Sequence, residues 1–192
     1  MPVIDYSKHY EDFEPIKYYE YWEECVKKIE QHQISEAIKY ATDTAITLNV
    51  QQVLIDKIFS VNLQSYEKKI EKCLVECIQI GKQEKAKALL LYYSLDNGWD
   101  SLFYICKDYN SDNNDWGHPP IKRIEVGKAR GFSGIYKKEA ESAFFADDIS
   151  SGICVLLMLR TTIAFYNVAV KYKDCGMKLC TTCTESDFVV IE

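Results

Sequence analysis

Apolar residues recur at three- and four-residue spacing across residues 16–82 and then give way to continuous apolar runs, a change that predicts a helical layer followed by a sheet. Tyr19, Trp22, Val26 and Ile29 mark one face of a first helix, and Ile34, Ala37, Ile38, Ala41, Ala45 and Leu48 mark a second. Strand propensity in Thr42–Leu48 competes with the second assignment. Val50, Val53, Leu54 and Ile58 define a short third helix. The fourth carries Ile70, Cys73, Leu74, Cys77 and Ile78 as its stripe, with Ser65 expected as N-cap and Gly81 as the stop.

Beyond residue 82 the period changes. Ala88–Leu95 and Ser101–Cys106 are rich in strand formers and flank Asp96-Asn97-Gly98-Trp99-Asp100, where Asn97-Gly98 signals a hairpin turn. Lys107–Pro120 is polar and turn-rich and predicts a long exposed loop. Next come a short edge strand over Ile121–Val126, a helix over about residues 136–145, and a long apolar helix capped by Asp147 or Asp148 and reaching about Tyr172. A loop through Cys175, Gly176 and Met177 then leads to a final strand over Asp187–Glu192. The expected architecture is a single α+β domain over residues 1–192, with an N-terminal helical part to about residue 82 packed on a small, mainly antiparallel sheet and a long C-terminal core helix.

Length and composition fit that picture. A chain of 192 residues with 47% hydrophobic and 27% charged residues has the make-up of one globular domain, and a body of this size buries about 70% of its unfolded surface. Arg160-Thr161-Thr162 and Asn167 interrupt the longest apolar run, so a core helix is the better reading than a membrane span. The net charge of −6 disfavours binding to nucleic acid or an anionic membrane and favours a basic partner. The first residues have neither the basic start nor the apolar run of a secretory signal, and four of the eight cysteines (Cys25, Cys73, Cys77, Cys154) fall on apolar faces. A cytoplasmic protein with reduced thiols is expected.

Candidate chemistry is thin. Cys180-Thr-Thr-Cys183, with Cys175 upstream, has the spacing of a zinc or redox pair but lacks the remaining ligands, so reduced thiols are the expected state and an adaptor stabilised by metal is a minor reading. Cys106 and His118 flank the polar loop as a weak nucleophile–base candidate. Gly131-Phe-Ser-Gly134 has the wrong spacing for a nucleophile elbow. Asp147-Asp148 and Glu23-Glu24 are adjacent acids, better read as a helix cap and a solvated face than as an acid–base pair. No catalytic, cofactor or metal site is assigned. The alternative is a small enzyme whose site is assembled from residues distant in sequence.

The strongest polar signal is acid beside aromatic. Residues 5–24 carry seven acids against Lys8 and Lys17, and residues 96–116 carry five against Lys107, so two short stretches hold more negative charge than the chain as a whole. Rigid rings with carboxylates suit a protein-binding face and steered association. Asp96, Trp99, Asp100, Asp112, Asp115 and Trp116 form the first candidate contact region, and Tyr10, Glu11, Asp12 and Glu14 the second.

The succession of an amphipathic helix from Tyr66 to Ile80, a strand Leu89–Tyr93, a turn with Gly98-Trp99-Asp100, a strand Leu102–Ile105, a loop holding Trp116 and a terminal Asp187-Phe-Val-Val-Ile191 resembles small bacterial immunity proteins of polymorphic-toxin and contact-dependent growth-inhibition systems. The likeness covers residues 66–192. It implies a non-enzymatic cytoplasmic inhibitor that binds one cognate toxin C-terminal domain, a basic nuclease for example, and occludes its active site or substrate cleft.

Overall fold

A computed structural model describes residues 15–110, 117, 119–143, 146–183 and 188–191. Among the described residues there are six α-helices, α1 (Pro15–Glu30), α2 (Ile34–Thr47), α3 (Gln52–Ser60), α4 (Gln64–Glu84), α5 (Phe132–Glu139) and α6 (Asp148–Ala169), the last continued by a 3-10 turn over Val170–Cys175. Five strands, β1 (Ala88–Ser94), β2 (Asp100–Cys106), β3 (Lys122–Glu125), β4 (Lys178–Cys183) and β5 (Val189–Ile191), form one sheet in the order β3-β2-β1-β4-β5. This is an α+β fold with a long C-terminal helix.

The sheet is mixed. β1 pairs antiparallel with β2 in the register Leu89↔Ile105 and Leu91↔Phe103, and parallel with β4 in the register Leu89↔Leu179 and Leu91↔Thr181. For the Cys180-Thr-Thr-Cys183 stretch the sequence leaves loop or strand open, and the structure makes it β4, an interior strand between β1 and β5. Its polar members are covered and satisfied, as when Thr181 Oγ1 donates to the Leu91 carbonyl at 2.9 Å. Alternation splits the sheet between two cores. Leu89, Leu91, Tyr93, Phe103, Ile105, Leu179, Cys183, Val189 and Ile191 join the helices, while Ala88, Leu90, Tyr104, Cys106 and Cys180 form a smaller cluster on the opposite face.

α6 is the axis of the larger core. Every side chain from Ser150 to Leu159 is buried, as a helix apolar on all sides must be, and α1, α2, α3, α4, α5, β4 and β5 all touch it. By length and composition it is apolar enough to cross a membrane, yet most of it is covered by protein. α2 is a helix and not a strand because Ala37, Ala41 and Ala45 let it lie close against α6. A Cβ on Gly152 would stand 2.7 Å from Val50 Cγ2 and 3.6 Å from Ala45 Cα, so small residues on both sides set that distance.

Several local expectations change. α4 starts at Gln64, whose backbone N–H is bonded by Asn62 Oδ1 at 2.9 Å, so Ser65 is not the cap. Gly81 does not stop α4, which runs on to Glu84 and ends on Lys85 in the left-handed region; Gly81 is buried where a Cβ would meet Met177 Sδ at 2.6 Å. Val53 is 70% exposed, and Ile55 takes the inward place in α3. The fifth helix begins at Phe132, ahead of the expected 136, and absorbs the Gly131–Gly134 stretch. Asp147 does cap α6, its Oδ1 accepting from Ser150 N at 2.7 Å while Ser150 Oγ donates back to the Asp147 carbonyl at 3.1 Å.

Candidate protein interface

The reversal between β1 and β2 spans residues 95–99, and its left-handed pair is Gly98 (φ 63) with Trp99 (φ 60), not Asn97 with Gly98. Tryptophan adopts this conformation at a cost. Burial holds it there. Trp99 is 0% exposed, stacks with Tyr93 at 6.2 Å, meets Phe132 and Tyr136 edge-on at 5.9 and 5.6 Å, and donates from Nε1 to Thr161 Oγ1 at 2.8 Å. Trp99 is therefore withdrawn from the contact region, because a ring so enclosed cannot touch a partner.

The aromatics of α1 behave likewise. Tyr18, Tyr21 and Trp22 are buried, and the Tyr21 hydroxyl donates to the Ala41 carbonyl at 2.6 Å; Tyr19 stays 51% exposed. Glu23 and Glu24 pair with Lys27 and Lys28 one turn on, at 3.4 and 2.9 Å. Flat rings next to acids in sequence are here the inner face of a helix whose outer face is charged. The other sequence candidates, Tyr10, Glu11, Asp12, Glu14, Asp112, Asp115 and Trp116, lie outside the described residues.

What the structure does bring together is carboxylate. Asp96 is exposed in the turn and accepts a hydrogen bond from Tyr136 Oη at 2.8 Å. Burial, the bond to Asp96, and the charges of Asp96 and Glu141 push the Tyr136 phenol well above its ordinary range. Burial first, then Cys183 with Asp96 and Asp147, raises the Cys154 thiol in the same way. Asp96, Glu141 and Asp147 thus surround one Tyr136–Cys154 corner, joined by Asp148 in the first turn of α6, and all four are exposed. Asp100 opens β2 half-buried, its Oδ1 accepting from Ser101 N at 3.1 Å. Lys128 lies over Gly98 and offsets part of this charge. Sequence reasoning missed Glu141 and read Asp147-Asp148 only as a cap, since nothing in the chain order says that α5, α6 and the β1–β2 turn share an end.

The opposite end of the sheet, where the parallel strands β1 and β4 begin, is basic. A hollow of about 370 Å³ there is lined by Lys87, Lys173 and Lys178 with Asp174, Met177 and Ile191.

The thiols take structural places. Cys180 and Cys183, three apart in β4, point to opposite faces of the sheet and cannot share a ligand. Among the described residues no three of His, Cys, Asp and Glu are placed to hold a metal. Burial pushes the Cys106 thiol up to about 12, away from the thiolate a nucleophile needs, while His118 lies outside the described residues.

One charged residue, which the sequence marks only as an interruption of the longest apolar run, has a further role in the structure. Arg160 sits in the seam between α6, α3 and α4, in a hollow of about 280 Å³ that adjoins a second of about 220 Å³. Its signal was legible as the first charge after an apolar run, although it was weighed only against a membrane span. Comparison with protein-family models, with curated proteins and with solved structures finds no match to this chain.

Proposed function

We propose that this protein is an inhibitor of the immunity type, which binds and neutralises a cognate bacterial toxin domain with a basic substrate cleft, a nuclease, by setting its acidic end into that cleft. One observation carries the reading: Asp96, Glu141, Asp147 and Asp148 stand exposed at one end of a rigid frame, with Asp96 fixed by Tyr136 and Asp147 fixed as a cap. A nuclease cleft must hold phosphates and is therefore lined with Lys and Arg. Exposed carboxylates compete with phosphates for those groups, speed encounter and disfavour neutral partners. The inhibitor works in the cytoplasm, where its buried thiols stay reduced.

The test uses the basic domain encoded immediately upstream, which an immunity pairing requires. Charge reversal at Asp96 and Asp148, leaving the Asp147 cap in place, is expected to slow association at least tenfold at low salt, with the difference fading as salt rises. A second double variant, Asp112→Lys with Asp115→Lys, reports on the polar loop. If neither pair changes binding, the acidic surface is not the interface; if the upstream domain neither binds this chain nor is inhibited by it, the immunity reading fails.

A further inference from the structure

Arg160 follows directly on ten consecutive buried residues of α6, yet its guanidinium is poorly supplied. It lies over the Phe59 ring at 5.6 Å, and Nη2 donates to the Val61 carbonyl at 2.6 Å. Val61 closes α3, so this contact places a cation at the negative end of a helix dipole. It also occupies only one of the five N–H groups that a guanidinium carries. Nε is closed off from solvent and has no protein acceptor. Among the described residues no carboxylate forms an ion pair with Arg160. Glu67 is close enough for its charge to be felt there, but its Oε1 is taken by Asn167 Nδ2 at 3.0 Å.

A half-buried cation with no carboxylate in direct ion-pair contact is costly, and removal from water lowers the pKa of this guanidinium from its usual value, an effect the nearby Glu67 charge only partly offsets. The space beside it is shaped to supply what is lacking. Phe59, Leu63 and Ile163 give the hollow apolar walls, Gln64 and Asn167 give it amide groups, and Glu67, held by Asn167, is its one carboxylate, within about 280 Å³. The adjoining hollow shares Gln64, Glu67 and Asn167 and brings Lys68 and Lys171 against Glu67 and Glu71, a balanced set that adds no strong field of its own.

We propose that the α3–α4–α6 hollow binds a small organic acid, whose carboxylate is taken by the remaining N–H groups of Arg160 Nη1 and Nη2 and whose apolar body lies against Phe59, Leu63 and Ile163. A planar guanidinium matches a carboxylate with two parallel hydrogen bonds, which an ammonium does not. The volume of about 280 Å³ falls just below the range of about 300–1,000 Å³ common for ligand pockets, which suits a small molecule. The site lies apart from the acidic end and does not depend on the immunity reading.

The experiment is an NMR titration of the full chain with hexanoate and with benzoate, using hexan-1-ol and benzyl alcohol as uncharged counterparts. Saturable shifts are expected at the Gln64 and Asn167 amides and at the Arg160 Nη–H groups, with each alcohol at least tenfold weaker than its acid. Arg160→Met is expected to lose at least tenfold in affinity for the acids while its circular dichroism stays that of the parent. Arg160→Lys, which keeps the charge without the fork, is expected to bind at least threefold more weakly than the parent; it carries the test if the Met variant does not fold. No saturable response to either acid at these residues, alcohols binding as well as acids, or parental affinity in the Lys variant would each overturn the proposal and leave Arg160 as a cap for α3.

Discussion

Trp99 Nε1 and Thr161 Oγ1 are joined by a 2.8 Å hydrogen bond that ties the β1–β2 turn to the middle of the core helix. The same Thr161 hydroxyl donates to the Leu157 carbonyl one turn back at 2.9 Å, so each polar atom in the contact is satisfied inside an apolar region. This bond adds to the burial and the Tyr93, Phe132 and Tyr136 contacts that hold a left-handed tryptophan in the turn. Trp99→Phe should cost about 1–3 kcal/mol by leaving Thr161 short of a donor, and Trp99→Ala about 3–5 kcal/mol by adding a cavity. Urea denaturation would measure both; a Phe variant as stable as the parent would show that the bond is not what fixes the turn.

The cap of α6 yields a second expectation. Asp147→Ala removes the acceptor for Ser150 N and should lower stability by about 0.5–2 kcal/mol, whereas Asp147→Asn keeps an acceptor and should recover most of the loss. Equal loss in both variants would mean that negative charge near the helix start, rather than the hydrogen bond, supplies the stability.

Gly152 tests the close approach of α2 to α6. Its missing Cβ would lie 2.7 Å from Val50 Cγ2, so Gly152→Ala should destabilise by about 1–3 kcal/mol in spite of better helix propensity. Adding Val50→Ala removes the clash, and the two changes together should cost less than their sum. Strict additivity in a thermal double-mutant cycle would contradict the contact.

The buried thiols give a pH dependence with a defined sign. Burial raises Cys25, which is 0% exposed, from 9.0 to about 12. Between those values the unfolded chain releases a proton that the folded chain keeps, so the contribution of Cys25 is fully present below pH 9 and is lost as pH rises towards 12. Stability should fall by about 1.4 kcal/mol per pH unit for each such group in that window. In Cys25→Ala the fall should be shallower by one proton, as read from denaturation midpoints at a series of alkaline pH values. An unchanged slope would mean that the thiol is reached by water in the native state.

Periodicity within one segment was enough to place most of the helices and the β1–β2 hairpin, since a helix face or an alternating strand is set by neighbours three, four or two residues away. The inner stripe of α4, the cap at Asp147 and the core role of α6 are all of this local kind. What periodicity could not supply was partnership. Lys178–Cys183 carries no strong strand pattern and becomes an interior strand because β1 offers it a parallel edge under α6. Trp99 sits beside carboxylates in sequence, a pattern that predicts an outward-facing ring, and Tyr21 has the same setting; the sides they turn inward are chosen by α6 and α2. The same holds for charge. The sequence by itself determined that this protein is acidic, helical in its first part and built around one apolar helix, whereas tertiary structure alone decided that Asp96, Glu141, Asp147 and Asp148 share an end and that Arg160 faces a hollow without a counter-ion. Local order follows from short-range sterics and hydrogen bonds, but a site is a meeting of distant segments, and where they meet is set by the packing of the whole core.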